Sequence, residues 1–310
     1  MDRRIKFRHL EAFIAIARAK RLKRAAEQLN LTQPAISKTL KDLEDILGVP
    51  LMTRDRSGIR MTAEGTLFLQ YAEQSAAALR QGMASLTGLR EAGGAVLRIG
   101  TLPSAASVIV PQAVLRFRAQ SPGTVLCIDE GGHGDLTGLL RAGDLDIVVG
   151  RLGDAQTMAG LSFTALHSET VVAVVAPDHP LRHATRLEQI ERALILYPPA
   201  AAAIRPLVAR LMLSRGMALF ADRIESVSSA FGRSMTLGPA QPVWFISRGV
   251  VAEDLAQGRL VALDIDMGPT EGAVGIMVRA EEPPSPVLQL FRQALVEAAV
   301  AQGGASGGDI

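Results

Sequence analysis

Side chains that can bond nucleic acid recur at helical spacing close to the amino terminus. A helix is predicted over residues 33–47, and its 100° step per residue divides these positions between two faces. One face is apolar, and the other carries Gln33, Pro34, Ser37, Lys38 and Lys41. Hydrogen-bonding and cationic groups of this kind bond base edges and phosphates in the major groove of DNA. We therefore expect Gln33, Ser37 and Lys38 to contact bases and Lys41 to contact phosphate.

Three arginines follow closely along the chain. Arg54, Arg56 and Arg60 belong to two short predicted strands joined by a Ser57-Gly58 turn. A hairpin beside a DNA-reading helix is a wing, and its arginines can bond phosphates or enter the adjacent minor groove. Each phosphate contact would steepen the loss of affinity with salt.

Short helices are predicted to position these groups. Apolar residues at helical spacing indicate helices over residues 8–18 and 23–29, ahead of the helix over 33–47. Thr32 stands where a hydroxyl can cap that third helix. Two short helices, a tight turn, a helix with a polar outer face and a wing predict a winged helix-turn-helix domain over residues 1–65.

The distribution of charge agrees with this division. Residues 1–65 hold 14 Lys/Arg and 8 Asp/Glu, a net charge of +6, whereas the remaining residues hold 19 and 23, a net charge of −4. A basic segment indicates a module that meets a polyanion, the alternative being a solvated basic face. With one cysteine, Cys127, and neither a secretory signal nor an apolar run of membrane-spanning length, a cytoplasmic protein is expected.

A long helix is predicted from Thr62 to about residue 90. Residues on one side of it step by four and three, a heptad seam typical of helix pairing. The seam consists of Phe68, Ala72, Ser75, Leu79, Gly82, Leu86 and Leu89. Residues 66–94 are therefore predicted to be a linker and dimerisation helix with a glycine hinge, the alternative being one helix that packs on its own domain.

The remaining chain has the pattern of an α/β domain. Strands near 96–100, 125–130 and 145–149 alternate with helices near 109–121 and 136–142, which predicts a parallel sheet. A similar alternation follows from residue 170. We predict an effector-binding domain over 95–302, in two halves of about 95–168 with 270–302 and about 169–269, and a flexible tail over 303–310.

Loops at strand ends should line the crevice between the two halves. Thr101 and Ser104 follow the first strand and suit a carboxylate, although N-capping is the alternative. His133 follows the second strand, and Arg205 and Arg233 lie at or in helices of the second half, where two cations would favour an anionic effector. The alternative for the arginines is an ordinary surface position. The sequence offers no catalytic, metal-binding or nucleotide-binding motif, so neither an enzyme nor a cofactor is predicted.

The amino-terminal segment also carries a longer pattern at fixed spacing. Its residues are Ala25, Ala26, Leu29, Gln33, Pro34, Ala35, Ile36, Ser37, Leu40, Leu43, Glu44, Leu47 and Gly48, followed by Leu51, Arg54, Thr62 and Gly65. This pattern resembles the winged helix-turn-helix of LysR-type transcriptional regulators. The resemblance implies binding to double-stranded operator DNA, pairing through the linker helix, a homotetramer, altered access of RNA polymerase, and an effector domain similar to a periplasmic binding protein.

Several further runs resemble one subgroup of that family, the regulators of the pca operon for protocatechuate breakdown. They include residues 4–10, 143–152, 228–233 and 247–251. The resemblance implies an activator that responds to β-carboxy-cis,cis-muconate, a tricarboxylate that would give Arg205 and Arg233 a purpose. A LysR-type regulator with another effector, a sugar or aromatic acid, is the first alternative. A solute-binding protein or an enzyme on the same scaffold is the second.

Overall fold

The computed structural model describes residues 4–55, 58–90, 95–155, 157–280 and 284–306. The chain divides into two compact units near residue 92. Arg56, the hinge glycines at 93 and 94, and residues 307–310 of the expected tail lie outside the described residues.

The first unit has the helices and hairpin expected from the sequence. Its elements are α1 Phe7–Ala19, α2 Leu22–Gln28, α3 Gln33–Leu47, β1 Met52–Asp55, β2 Gly58–Met61 and α4 Ala63–Arg90. The two strands pair antiparallel, with Met52 opposite Met61. Phe13, Ile16, Ile36 and Leu43 are fully buried between the helices. This arrangement confirms the winged helix-turn-helix and the long helix that follows it.

Caps determine where α3 begins and ends. The Thr32 Oγ1 accepts a hydrogen bond from the Ala35 N–H at 3.3 Å, and Pro34 occupies the first turn, where its missing N–H leaves no bond unmade. Gly48 ends the helix in the left-handed region, at φ 72°, and its N–H donates to the Glu44 carbonyl. The start of α3, with Gln33 and Ser37, is thereby defined by local chemistry.

Two residues of the LysR-like pattern, Glu44 and Thr62, attach the wing to the helices. Glu44 on α3 accepts hydrogen bonds from the Leu51 N–H at 2.7 Å and the Met52 N–H at 3.1 Å. Thr62 donates its hydroxyl to the Pro50 carbonyl at 2.8 Å and accepts from the Gly65 N–H at 2.9 Å. Glu44 therefore positions β1, and Thr62 caps the start of α4.

The second unit contains two five-stranded sheets. Its strands are β3 Val96–Thr101, β4 Val125–Glu130, β5 Ile147–Arg151, β6 Leu161–Glu169, β7 Val171–Val175, β8 Ile195–Tyr197, β9 Arg223–Glu225, β10 Val243–Ser247, β11 Val261–Ala262 and β12 Gly272–Arg279. Its helices are α5 Pro103–Ser107, α6 Ile109–Gln120, α7 His133–Ala142, α8 Arg205–Ser214, α9 Ser229–Leu237, α10 Ala252–Ala256 and α11 Pro286–Ser306. Short 3₁₀ turns lie at Leu187–Ile190, Arg248–Val251 and Gly268–Thr270.

Each sheet has three parallel strands on one side and antiparallel pairings on the other. The first sheet has the order β4-β3-β5-β12-β6, in which β3 is parallel to β4 and β5, and β12 is antiparallel to β5 and β6. The second has the order β11-β7-β10-β8-β9, in which β8 is parallel to β9 and β10. The chain passes from the first sheet to the second after Glu169 and returns before Gly272. The chain thus forms the expected α/β domain in two halves, and β3, β4 and β5 are parallel as expected. Both sheets are nevertheless mixed, because β12 pairs antiparallel with β5 and β7 pairs antiparallel with β10.

Aromatic and aliphatic side chains fill a separate core on each sheet. Phe117 on α6 meets Phe291 on α11 edge to face, with ring centroids 5.5 Å apart. Tyr197 meets Phe245 at 5.9 Å under the second sheet. Each half therefore has its own hydrophobic core, and neither core fills the crevice between the halves.

Several details differ from the sequence-based expectations. Strand β6 was not expected, because buried and exposed residues do not alternate regularly along it. Its register against β12 also shifts between Val274 and Gly275. The short helix α5 was also missed, and α7 begins at His133 rather than at residue 136. Helix α11 continues to Ser306, through the first residues of the expected flexible tail. None of the described helices is long and apolar enough to cross a membrane.

The close approach of α4 to the wing predicts that Gly65→Ala is destabilising. A Cβ at residue 65 would lie 1.9 Å from the Leu51 carbonyl oxygen, so the backbone must shift. We expect the free energy of unfolding of the first unit to fall by about 1–3 kcal/mol. Hydrogen exchange of peptides from α1–α3 measures that change.

Gly138→Ala is the matched control. Gly138 lies in α7, and nothing lies within 4 Å of a Cβ placed there. Alanine should leave exchange in the first unit unchanged and stabilise the second by about 0.5–1 kcal/mol. Equal protection in Gly65→Ala and the wild type would contradict the assigned contact.

Candidate functional site

Helix α3 presents the polar face that its periodicity predicts. Gln33, Pro34, Lys38 and Lys41 are exposed, and Ser37 is half-buried. The opposite face is buried, since Ile36 and Leu43 have no exposed surface. All lysines of the chain lie in residues 1–41, so the cationic ammonium groups are confined to this unit. Hydrogen-bonding groups at the start of the helix with lysines along it suit base edges and phosphates.

The wing contributes one arginine whose side chain the structure describes. Arg60 lies on β2 and is exposed, opposite Thr53 on β1. Arg54 lies in β1 opposite Ile59, but its side chain is outside the described residues, as is the whole of Arg56. Arg60 is therefore an exposed cationic side chain, as the lysines of α3 are.

The second unit contains a cleft of about 340 Å³ that both halves line. The first half contributes residues at the carboxyl ends of its strands, as expected for an α/β sheet. The second half contributes the loops after β8 and β9 and the end of β10. The lining residues are Leu102, Pro103, Ser104, Glu130, Gly131, Gly132, His133, Arg151, Pro198, Ala202, Ala203, Ile204, Ser226, Val227, Ser228, Phe245, Ile246, Ser247 and Val250.

Two of the five residues predicted for an effector line this cleft. Ser104 lies on α5 and His133 begins α7, and both are largely buried. Thr101 is fully buried and donates its hydroxyl to the Leu102 carbonyl at 3.2 Å. The structure thus brings Ser104 and His133 to one site and leaves Thr101 beneath the surface.

Arg205 does not itself line the cleft, although its backbone partner Pro198 does. Its Nη1 donates to the Pro198 carbonyl at 2.6 Å and to Glu225 Oε1 at 3.0 Å, and its guanidinium lies 4.6 Å from the Tyr197 ring centroid. Hydrogen bonds from Arg223 and then Arg205 lower the pKa of the Glu225 carboxyl. This arginine therefore joins β8, β9 and α8 in the second half.

Arg233 has a similar structural role. Its Nε donates to Asp254 Oδ2 at 2.8 Å and its Nη2 to the Val250 carbonyl at 3.2 Å. Asp254 is 1% exposed and also accepts from Arg259 Nε at 2.8 Å. Burial raises the pKa of the Asp254 carboxyl, but the hydrogen bonds from the two arginines outweigh it, so the pKa is lowered.

The expectation of an effector role for Arg205 and Arg233 is therefore not supported by their positions. Among the described residues that line the cleft, neither arginine appears. The physical reason is that each guanidinium already has a carboxylate partner, Glu225 or Asp254, held on a neighbouring element. Those partners are about twenty residues away in the chain, and local spacing could not show them.

Sequence reasoning missed the arginine that does line the cleft. Arg151 is the last residue of β5, the apolar strand in the first sheet, and it is 3% exposed. It is the one arginine or lysine among the described lining residues. The available signal was its place at the carboxyl end of a parallel strand, where ligands of α/β sheets bind.

The remaining lining is largely apolar. Ile204, Phe245 and Val250 offer aliphatic and aromatic surface, while Ser226, Ser228 and Ser247 offer hydroxyls. A few polar groups converging in an apolar cleft are typical of small-molecule sites. The ionisable residues of the lining are Arg151, His133 and Glu130, and the buried guanidinium of Arg151 suits a small anion that has an apolar body.

Family models match both units. A model described as the LysR substrate binding domain matches residues 90–300, and one described as a bacterial regulatory helix-turn-helix protein of the lysR family matches residues 7–66. The first alone covers more than half of the chain. The matched segments contain, respectively, the cleft and the exposed face of α3.

Whole-chain comparisons agree. The HTH-type transcriptional regulator PcaQ of Agrobacterium fabrum is 42% identical over 301 residues, which cover 96% of each chain. A full-length OxyR variant from Pseudomonas aeruginosa has the same fold, with a TM-score of 0.59, 22% identity and 94% coverage of each chain. A full-length LysR-family regulator, CbnR, in complex with its target DNA gives a TM-score of 0.52 and 20% identity, covering 95% of this chain and all of the other. The chain therefore belongs to the LysR family and is a transcriptional regulator.

Proposed function

We propose that this regulator binds an operator that controls genes of protocatechuate breakdown in the β-ketoadipate pathway, and that it activates them in response to a small anionic metabolite. The observation that carries the proposal is the 42% identity with PcaQ across 96% of both chains. β-Carboxy-cis,cis-muconate is the effector that we propose. Ser104 and His133 in the cleft would contact it.

Operator binding would use the start of α3 in the major groove. Gln33, Ser37 and Lys38 would meet base edges, with Pro34 beside them, and Lys41 would bond phosphate. The wing would add Arg54, Arg56 and Arg60 at phosphates or in the adjacent minor groove. The exposure of Gln33, Lys38, Lys41 and Arg60 supports this assignment.

Pairing of two chains would use the linker helix, residues 66–90. Within one chain α4 leaves a stripe of apolar side chains in solvent, with Leu67, Tyr71, Leu79 and Met83 each at least 47% exposed. Of the predicted seam, Phe68 and Ala72 are instead covered by their own unit, and the side chains of Leu86 and Leu89 lie outside the described residues. Exposed apolar stripes of this kind favour association, and we propose a dimer that assembles further into a tetramer.

The regulatory step would be a shift between two arrangements of the protein. An effector changes operator binding only if it binds one arrangement better than the other. Closure of the two halves around an anion would change the spacing of paired winged domains, and with it DNA bending and the access of RNA polymerase. The lining contributed by both halves supports such a closure.

A different effector is the alternative that one observation favours. The cleft lining has one arginine and a largely apolar surface, which also suits an aromatic monocarboxylate. Titration with protocatechuate beside β-carboxy-cis,cis-muconate would separate the two, since only the true effector should change operator binding.

The assigned roles on α3 predict two different losses of DNA affinity. Lys38→Ala should cost about 1–3 kcal/mol on the operator and relax the preference for it, because a base contact is lost. Lys41→Ala should weaken binding to operator and scrambled DNA alike and reduce the salt slope by about 1, because a phosphate contact is lost. Fluorescence anisotropy at several salt concentrations measures both quantities.

Arg118→Ala provides the control for these variants. Arg118 is an exposed arginine on α6 of the second unit. Its removal changes the net charge by the same amount and should leave the operator affinity and the salt slope unchanged. A uniform loss in Lys38→Ala on both DNA fragments would contradict a base contact.

Substitutions of residues that line the cleft should affect effector binding, whereas a substitution of Arg205, which does not line it, should affect stability. Ser104→Ala and His133→Asn should each weaken binding of β-carboxy-cis,cis-muconate by about 5- to 10-fold, because a hydrogen-bonding group is lost. Arg205→Gln should lower Tm by about 2–4 °C through its lost contacts while leaving effector affinity within twofold. Calorimetric titration and thermal unfolding measure the two effects. A large affinity loss in Arg205→Gln with no loss in Ser104→Ala would reverse the assignment.

A further inference from the structure

The guanidinium of Arg151 is buried in the cleft wall and incompletely paired. Its Nη2 donates to Glu169 Oε2 at 3.4 Å, which is long beside the ~2.7–2.9 Å of charge-assisted hydrogen bonds. Its Nε and Nη1 have no hydrogen-bond partner among the described residues. These two nitrogens carry three of the five N–H donors of a guanidinium.

A buried guanidinium with unsatisfied donors destabilises the protein when no ligand is bound. Buried donors are nearly always satisfied, and each one left without a partner costs free energy. Burial lowers the pKa of Arg151, and the attraction of Glu169 offsets this only in part. Burial also lowers the pKa of the neighbouring His167, so that imidazole adds no second cation at neutral pH. A further anion beside Arg151 would offset these costs.

Glu169 has a second bond that does not need Arg151. Its Oε1 accepts a hydrogen bond from the Gly249 N–H at 2.6 Å, much shorter than the contact with Arg151. Glu169 is the last residue of β6, immediately before the chain crosses to the second sheet. Gly249 lies in the 3₁₀ turn after β10, on the second half. Glu169 is therefore bonded across the crossover whether or not it pairs with the arginine.

We propose that Arg151 anchors a carboxylate group of the molecule that binds the cleft, and that this carboxylate replaces Glu169 as the partner of the guanidinium. This inference rests on the proposed function, because it names the group by which the same cleft recognises an anion. Nη1 lies beside Gly272 on β12, so the Arg151 side chain would rotate toward the cleft to present Nε and Nη1 to the ligand. Ile204, Phe245 and Val250 would face the apolar body of the ligand. The ligand class is a small carboxylic acid with one carboxylate at Arg151.

The exchange of partners would change the electrostatics of the crossover. Once the Arg151 guanidinium is bonded to the ligand, Glu169 would keep the Gly249 amide as its hydrogen-bond partner among the described residues. The change falls on the segment that joins the two halves, where Arg248 N–H also donates to the Thr170 carbonyl at 3.1 Å. Ligand binding would thus act directly on the connection between the sheets.

Calorimetric titration of the full chain tests the anchor with three probes. Benzoate and β-carboxy-cis,cis-muconate carry carboxylates, and benzamide is the uncharged counterpart of benzoate. Arg151→Gln should weaken binding of each acid by about 10- to 100-fold, since charged hydrogen bonds are lost. Arg151→Lys should give a smaller loss. Glu169→Gln should tighten acid binding by at least about twofold, because the competing carboxylate is gone.

Arg215→Gln is the matched control. Arg215 pairs with Asp266 at 2.9 Å, and both side chains are substantially exposed, so acid binding should match that of the wild type. If Arg151→Gln fails to fold, Arg151→Lys and Glu169→Gln still test the anchor. An ion pair with a purely structural role would make both variants bind the acids more weakly. Weaker acid binding by Arg151→Lys together with tighter acid binding by Glu169→Gln supports the anchor. Changes of affinity in the same direction, or no change in affinity, overturn it.

Two outcomes separate this inference from the proposed function. Acid binding that depends on Arg151 but leaves operator affinity unchanged would support the anchor and contradict the proposed regulation. A change of operator affinity by an acid that binds equally well to wild type, Arg151→Lys and Glu169→Gln would support the regulation and overturn the anchor. Benzamide binding as tightly as benzoate, or neither acid binding the wild type, would also overturn it.

Discussion

A buried guanidinium needs an anion, and in this regulator the anion available to Arg151 is a carboxylate that is better bonded elsewhere. Glu169 lies 3.4 Å from Arg151 Nη2 but 2.6 Å from the Gly249 amide nitrogen. Arg151 ends β5 and Glu169 ends β6, two strands that β12 separates in the first sheet, and Glu169 directly precedes the crossover to the second. The cleft, the crossover and the ligand chemistry that we propose all depend on this imbalance.

The contrast with the other arginines of the second unit shows why the imbalance is informative. Arg205 and Arg233 make short bonds to Glu225 and Asp254, so their charge serves to join elements of one half. Ion pairs that are already well formed offer little to an incoming anion, whereas a buried cation with open donors gains a partner. A single arginine in an apolar cleft also limits how many carboxylates of one ligand can be paired there.

Local patterns were enough to predict the DNA-binding unit. The apolar stripe of α3, the Thr32 cap and the glycine after Leu47 determine which side chains face outward, and each of these acts within a few residues. The same holds for Ser104 and His133, which follow strands of a recognisable α/β pattern. The roles of Arg151, Arg205 and Arg233 depend on partners 18 to 21 residues away, supplied by other elements. Strand β6, which brings Glu169 to Arg151, was itself missed, so the sequence could not reveal the pair.

The proposed function joins specific operator binding to recognition of a small acid in one chain. Its most direct test is an anisotropy titration of the full chain against the DNA upstream of its own gene and a scrambled fragment, at two salt concentrations, with and without β-carboxy-cis,cis-muconate. We expect a preference for the native fragment of at least about a hundredfold, and an affinity that changes when the acid is added. Equal, steeply salt-dependent binding to both fragments, unaffected by the acid, would contradict it.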